Sequence, residues 1–367
     1  MKVGIIGCRG IPNHHGGFEQ FAEYFSVYLA DKGVDITVYN SSLHPYKENE
    51  YQGVKIITCS DPEDKLGTAG QFIYDLNCIK DARNRNFDVI LQLGYTSSSI
   101  WYKLLPKDAV IVTNMDGLEW KRSKYSKLVK SFLRFAEKLA VRSSDFLISD
   151  SIGIQQYLKR AYRIDSKYIA YGALPYKVKI NENNLKEFKV KENAYFLLIA
   201  RVEPENNIEL ILDGYVQSNS EYTFLVIGNV EQTKFGQYLI DKYKAKRNIV
   251  FVGPEYDITK LNYLRYSSRL YFHGHSVGGT NPSLLEAMAS QALIAAHDNE
   301  FNSAILGEDS FYFNSKSDVS QLIKQVNKAN YLNKVENNLQ KIKNNFSWEI
   351  INKQYLDFLE TCYANKD

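Results

Sequence analysis

"KVGIIGCRGIPNHHGGFEQFAEYFSVYLADKG" (residues 2–33) is the stretch from which the fold is read. A short apolar run at 2–7 enters a loop crowded with Gly7, Gly10, Gly16 and Gly17. From Phe18 the apolar residues recur at helical period until Gly33 stops them. A buried strand, a glycine-rich turn and an amphipathic helix closed by glycine make the first half of a parallel βαβ unit.

The same alternation runs along the chain. Strand candidates stand at 35–40 (DITVYN), 54–59 (VKIITC), 87–94 (FDVILQLG), 109–114 (AVIVTN) and 145–150 (DFLISD), with helix-period segments between them. Across 176–194, "YKVKINENNLKEFKVKENA", the period lapses into lysine- and asparagine-rich sequence, which predicts a linker. A second set follows at 195–200, 223–228, 249–253, 269–274, 292–296 and 310–314. The expected fold is α/β, two Rossmann-like domains (1–175 and 195–345) facing each other across a cleft, with ligands at the carboxyl ends of the strands. At 367 residues the chain suits two cores of ordinary size.

Composition narrows the function classes. Hydrophobic residues at 44% and charged residues at 24% belong to a soluble globular protein. No run reaches about 18 apolar residues, and no leader with a cleavage site opens the chain, so a cytoplasmic location is expected. A net charge of +3 gives no reason to expect nucleic acid as a partner. Cys8, Cys59, Cys78 and Cys362 are scattered without metal-like spacing, which argues against zinc and disulfides. The 27 tyrosines and 19 phenylalanines fit large cores and equally fit ring-stacking surfaces for sugars.

The opening loop is no dinucleotide fingerprint. Gly4, Gly7 and Gly10 miss the G-x-G-x-x-G spacing, the loop is long, and the second strand ends in "VYNSS" without the acid that would hold a ribose. Gly16 and Gly17 against a helix start instead allow backbone N–H groups to approach a phosphate or a sugar hydroxyl, the alternative being a plain strand-to-helix connection. Arg201, just past the strand "YFLLIA", is placed to clamp a diphosphate, or else to pair with Glu203 or Glu205 on the surface.

"FHGHSVGGTNPSLLEAMAS" (272–290) is richer still. Gly278 and Gly279 turn the chain, Asn281 is a good N-cap, Pro282 suits the first helical position, and Glu286 falls one turn inside. Free N–H groups from Thr280 to Leu284 would face an anion while Glu286 accepts from a ribose. In "VIVTNMDGLEWKR", Asp116 and Glu119 follow Met115 at a strand end, where an acid would orient an acceptor hydroxyl or stabilise oxocarbenium-like charge, unless Asp116 simply caps a helix. His14, His15, His273 and His275 are further candidates to meet the sugar or acceptor, and their spacing does not suggest metal binding. Residues 121–142 alternate basic and apolar stripes, Lys127, Lys130, Arg134, Lys138 and Arg142 against Leu128, Phe132, Phe135 and Leu139. Such a helix packs on its sheet with a solvated face, and it would also suit an anionic lipid surface.

"GGFE", "ARVEPENN" and "GGTNPSLLEAMA", in this order and spacing, resemble the nucleotide-sugar glycosyltransferases of the GT-B fold, retaining family 4. The forms "GCRGIP…GGFE", "NMDGLEWKRSKYS" and "HGHSVGGTNPSLLEAM" are similar to its capsule and exopolysaccharide β-1,4-rhamnosyltransferase branch, users of dTDP-L-rhamnose. The resemblance spans essentially the whole chain. It implies that Arg201 binds the donor diphosphate, that Gly279, Thr280 and Asn281 lie near it, that Glu286 holds the ribose, and that Gly16 and Gly17 line the sugar-diphosphate. Two departures stand out. Gly278 occupies the place of a family glutamate, and Asn206 in the donor site that of a lysine, so one charge of each sign is missing and a 6-deoxy sugar is favoured. The family also implies a lipid-linked saccharide acceptor and a terminal helix, "FSWEIINKQYLDFLETCY" within 346–367, that crosses back to the first domain. No D-x-D motif is present, so neither a metal nor another cofactor is expected. A nucleotide-sugar epimerase of the same fold, or a non-catalytic nucleotide-sugar-binding scaffold, remain alternatives.

Overall fold

The computed structural model describes residues 1–14, 16–122, 125–178 and 182–366. His15 lies outside the described residues, as do two positions of the basic segment and three of the expected linker. The chain forms two compact units, Met1–Tyr171 with Trp348–Asp367, and Gly172–Ser347.

The first unit is an eight-stranded sheet in the order β3-β4-β2-β1-β5-β6-β7-β8. Its strands are β1 (Lys2–Ile6), β2 (Asp35–Ser41), β3 (Glu50–Tyr51), β4 (Val54–Cys59), β5 (Val89–Leu93), β6 (Val110–Asn114), β7 (Phe146–Ser149) and β8 (Lys167–Tyr168). All neighbours pair parallel except β3 with β4. Strands covered on both faces read as continuous apolar runs, which is why β5 and β6 are buried throughout. Two strands escape the sequence reading. The β3–β4 hairpin turns on Gln52 and Gly53, both at positive φ, a two-residue turn with no apolar run before it, and β8 is only two residues long.

The helix Gly17–Asp31 buries Phe21, Ala22, Phe25 and Leu29. The last helix, Trp348–Ala364, returns to it: the Tyr355 ring lies 4.4 Å from Phe21 and Trp348 stacks on Tyr24 at 4.7 Å. Asn114 Nδ2 at the end of β6 donates to the Tyr355 hydroxyl at 2.9 Å. Ile351, Tyr355, Leu359 and Cys362 are all buried. Each large apolar side chain so covered contributes about 1.5–3 kcal/mol, so the terminal helix is part of this unit's core.

The second unit is a six-stranded parallel sheet in the order β11-β10-β9-β12-β13-β14. Its strands are β9 (Tyr195–Ile199), β10 (Thr223–Ile227), β11 (Ile249–Gly253), β12 (Leu270–His273), β13 (Ile294–His297) and β14 (Phe311–Phe313). Phe196, Phe224, Phe272 and Phe313 centre its core. The segment expected as a linker is built into this unit. A short helix, Glu182–Glu187, carries the buried Leu185, Val190 is buried beyond it, and Tyr176 N donates to Ala289 O at 3.0 Å. Two apolar anchors in a polar stretch suffice, and their sparseness is what hid them.

The basic helix, Lys127–Ser143, also differs from expectation. Its buried face is Leu133, Ala136, Glu137, Ala140 and Val141, while Leu128 and Phe135 of the expected apolar stripe are 84% and 54% exposed. The buried stripe runs one position out of phase with the expected one and includes a polar residue, Glu137.

Candidate functional site

In the first unit the ends of β1, β5 and β6 frame a cavity of about 410 Å³ whose wall includes Gly16, Gly17, Asp116 and Glu119. Three of the loop glycines, Gly7, Gly10 and Gly16, divide into two jobs. A Cβ on Gly7 would lie 2.4 Å from Leu93 O, and one on Gly10 would lie 2.3 Å from Asn40 Cγ, both at positive φ. Those two are demanded by packing. Gly16 has extended backbone and nothing closer to a Cβ than Glu19 Oε2 at 3.6 Å, so its bareness serves the cavity. The first N–H groups of the helix it opens have no intrahelical partner.

Asn40 at the end of β2 holds the loop, accepting from Ile11 N at 3.0 Å and donating to Ile11 O at 2.8 Å. The residue whose failure to be an acid argued against a dinucleotide is thus a buried clamp. Glu19, 7% exposed, accepts from Arg9 N at 2.8 Å and lines the cavity. Sequence reasoning passed over it although an acid in a first helical turn was the available signal.

Asp116 sits at φ +44 and its N donates to Asn114 Oδ1 at 3.0 Å. It caps no helix: the next turn, Glu119–Lys121, is preceded by Leu118 and has no side-chain cap. Asp116 is thus a non-glycine residue held in the left-handed region at the cavity wall. Glu119 is gripped by Arg122 at 2.7 Å. Beneath this wall, the buried Glu137 accepts from Tyr157 and Tyr162 hydroxyls at 2.7 and 2.6 Å, from Trp120 Nε1 at 3.1 Å and from Tyr95 at 3.3 Å. Four donors satisfy one buried carboxylate, and through Trp120 and Tyr95 they fix the segment that carries Glu119. Asp75, also in the wall, is pushed up to about 7 by burial, with Asp61 nearby adding to the rise and Ser97 opposing it. His14 is exposed, edge-on to His44 at 5.3 Å, and is not part of the wall.

In the second unit the loops after β9 and β12 interlock. Asn207 Nδ2 donates to Gly274 O at 2.8 Å, Ser276 N and Oγ donate to Glu205 O at 3.1 and 2.8 Å, and a Cβ on Gly274 would lie 2.0 Å from Asn206 O. Arg201 is exposed at the mouth of β9. Asn206 is buried and its amide donates to Arg201 O at 2.7 Å, so it shapes the arginine's turn.

The helix Pro282–Ala289 is capped by Asn281, whose Oδ1 accepts from Ser283 N at 3.0 Å. Leu284 N is taken by Asn281 O at 3.0 Å, so two of the N–H groups expected to face an anion are already engaged. Thr280 is buried, and Gly279 is half-buried. Gly278 has φ +137, a conformation that would strain a glutamate there.

Glu286 has a partner that the sequence did not suggest. Arg265, 1% exposed, donates from Nη2 to Glu286 Oε2 at 2.6 Å and from Nη1 to Asn262 Oδ1 at 3.0 Å. A buried guanidinium held by a carboxylate fixes that carboxylate's direction. His273 corrects an expectation: it is 1% exposed at the end of β12 and meets no acceptor. Its ring nitrogens have no hydrogen-bond partner among the described residues, and burial drives its pKa well below the ordinary histidine range, so it is neutral. Its ring stacks on His275 at 4.4 Å. Among the described residues no group of His, Cys, Asp and Glu is arranged to hold a metal ion, and no helix is long and apolar enough to cross a membrane.

Residues 179–346 match the family Glycosyl transferases group 1. The match covers nearly all of the second unit. Residues 1–174 match Domain of unknown function (DUF1972). Both units together have the GT-B fold. Sucrose-phosphate synthase from Thermosynechococcus elongatus superposes at a TM-score of 0.79 over 100% of both chains with 14% identity. Anabaena Alr3699/HepE, solved in complex with UDP-glucose, superposes at 0.76 over 98% of this chain and 99% of that one, also with 14% identity. In sequence, the O-antigen chain mannosyltransferase RfbU of Salmonella typhimurium is 24% identical over 195 residues, 52% of this chain and 53% of that relative. The match therefore spans about half the length of that relative. The Arg201 loop, the capped helix and Glu286 all fall inside the region that matches Glycosyl transferases group 1, whereas the cavity with Asp116 and Glu119 falls inside the other matched region.

Proposed function

We propose that this chain transfers a sugar from a nucleoside-diphosphate donor to a hydroxyl of a growing saccharide in surface polysaccharide synthesis. The observation that carries the reading is the second unit's interlocked site: exposed Arg201, the Asn281-capped helix, and Glu286 held by Arg265. Arg201 would neutralise the departing diphosphate, and Glu286 would accept from the ribose of the nucleotide. The UDP-glucose bound to HepE and the O-antigen assignment of RfbU support a nucleotide-sugar donor and a polysaccharide product.

The donor we favour is dTDP-L-rhamnose, with retention at the anomeric carbon. The motifs around Gly16–Gly17 and Gly278–Asn281 support it, as does the missing pair of charges at Gly278 and Asn206. In this chemistry the leaving diphosphate takes the proton of the incoming hydroxyl on the same face, so no strong protein base is needed. Asp116 and Glu119 would orient the acceptor in the first unit's cavity. Arg201 and the helix N-terminus supply the positive field that the departing diphosphate needs, so activity is expected to survive a chelator.

A lipid-linked acceptor at the inner membrane face completes the reading. The helix Lys127–Ser143 exposes Leu128, Val129 and Phe135 among Lys127, Arg134, Lys138 and Arg142, which suits an anionic lipid surface. A thermal-shift panel of dTDP, UDP, GDP and ADP tests the donor, since a ligand that binds only the native state raises its melting point. Stabilisation by dTDP above the others is expected. Preference for UDP or GDP removes rhamnose, and no shift with any nucleotide removes the transferase.

A further inference from the structure

The first unit's cavity is lined by five carboxylates, Glu19, Asp61, Asp75, Asp116 and Glu119, and by a single guanidinium, Arg9. That guanidinium is committed to Glu63, which accepts from its Nε at 3.0 Å and its Nη2 at 2.6 Å. Most of the carboxylates are committed too. Glu119 pairs with Arg122, Glu19 accepts from Arg9 N, and Asp61 accepts from Ser41 Oγ at 2.6 Å and from Glu63 N at 3.0 Å.

Asp75 is the exception. It is 6% exposed on the helix Thr68–Ala82 and accepts one hydrogen bond, from Ser97 Oγ to Oδ2 at 2.5 Å. Its Oδ1 has no hydrogen-bond partner among the described residues. An acceptor atom that a largely buried residue leaves open in a cavity wall, with no protein donor on it, is a place for a ligand's donor.

Charge selects the donor. A ligand carboxylate or phosphate would enter among five acids with no uncommitted cation among the described lining residues to meet it, and like charges in a partly desolvated space repel strongly. Asp75 titrates close to neutral pH, so a partner must suit both its protonation states. A sugar hydroxyl donates to the carboxylate and accepts from the acid, whereas an ammonium only donates.

We infer that this cavity reads an uncharged, hydroxyl-bearing sugar through Asp75 Oδ1, with Ser97 holding the carboxylate in place, and that it rejects sugars bearing a carboxylate or phosphate. The inference rests on the transferase reading and names the acceptor class within it.

Saturation-transfer NMR on the full chain tests it with methyl glycosides of the gluco, galacto and manno series, each as the neutral sugar, the 6-carboxylate and the 2-amino form. The neutral member of at least one series is expected to receive saturation and its carboxylate is not. Asp75→Asn should lower the neutral signal about five-fold, a charged acceptor being replaced by a neutral one. If that variant does not fold, Ser97→Ala should lower it about three-fold. Equal binding of the carboxylate form, preference for the amino form, no binding by any neutral glycoside, or unchanged binding in both variants overturns the inference. Thermal shift by dTDP and UDP is measured on the same samples. Loss of nucleotide binding by the wild type sinks the transferase reading, whereas intact nucleotide binding without sugar discrimination sinks only the acceptor class.

Discussion

In the first unit a ten-residue loop, 7–16, joins β1 to its helix, and the cavity it borders is walled by acids. In the second, an eight-residue loop, 274–281, joins β12 to its helix, and the site it borders is built around Arg201 and Arg265. One topology thus carries two opposite electrostatic environments at its strand ends. The buried charges differ in kind as well. Arg265 pairs through Nη2 with Glu286 and through Nη1 with Asn262, whereas Asp75 is held by a single hydroxyl. A parallel sheet fixes where a ligand goes, and the loop residues fix what sign of ligand is welcome.

The contrast is most exposed to test at Arg201. Arg201→Ala should lower sugar transfer by about 10²–10³-fold, the usual loss for one preorganised donor at a developing charge, measured by nucleoside diphosphate release. Because Arg201 is exposed, the melting point should hardly move. Retained transfer would remove the diphosphate from this unit.

Next in size is Glu286→Gln, which leaves the Arg265 cation buried without its carboxylate. Destabilisation of about 3 kcal/mol in denaturant titration is expected. A neutral result would mean that the pair is not the fixed element that the distances describe.

The two kinds of loop glycine should separate as cleanly. Gly10→Ala forces a Cβ into Asn40 at positive φ and should cost about 2–3 kcal/mol. Gly16→Ala should stay within about 0.5 kcal/mol of wild type in stability while still lowering transfer. Equal stability losses would show that Gly16 too is only structural.

Asp75→Asn should go the other way and stabilise the protein. The folded pKa of Asp75, about 7, lies above the ordinary aspartate range, so the native state binds the proton more tightly than the unfolded chain. Its contribution is therefore favourable at low pH and is lost as pH rises toward and through 7. The variant's advantage should grow by roughly 2–3 kcal/mol between pH 5 and pH 8. An advantage that does not grow with pH would contradict the burial of an under-partnered carboxylate.

The smallest effect belongs to the basic helix. Replacing Lys130 and Lys138 by Glu should lower binding to phosphatidylserine vesicles by about 1 kcal/mol per position, with transfer to a soluble acceptor unchanged. Vesicle binding that ignores these charges would remove the membrane from the reading.

Much of the fold lay open in the sequence, because its signals are local. Parallel strands need apolar runs, helices need a repeat of 3.6, and both are legible within a dozen residues. The Asn281–Pro282 helix start was legible for the same reason: its cap reaches two residues. Glycine-rich loops could be located, but not sorted, since what a Cβ would strike at Gly7 or Gly10 comes from β5 or β2. Tertiary structure alone decided which polar groups meet. Arg265 and Glu286 lie 21 residues apart, Asp75 and Ser97 22, Arg9 and Glu63 54, and Asn114 and Tyr355 241. No periodicity encodes such pairs, because each depends on which strand ends a sheet brings side by side. The same holds for His273, a polar residue at a strand end that the sequence offered to a ligand and the close-packed end of β12 took into the core.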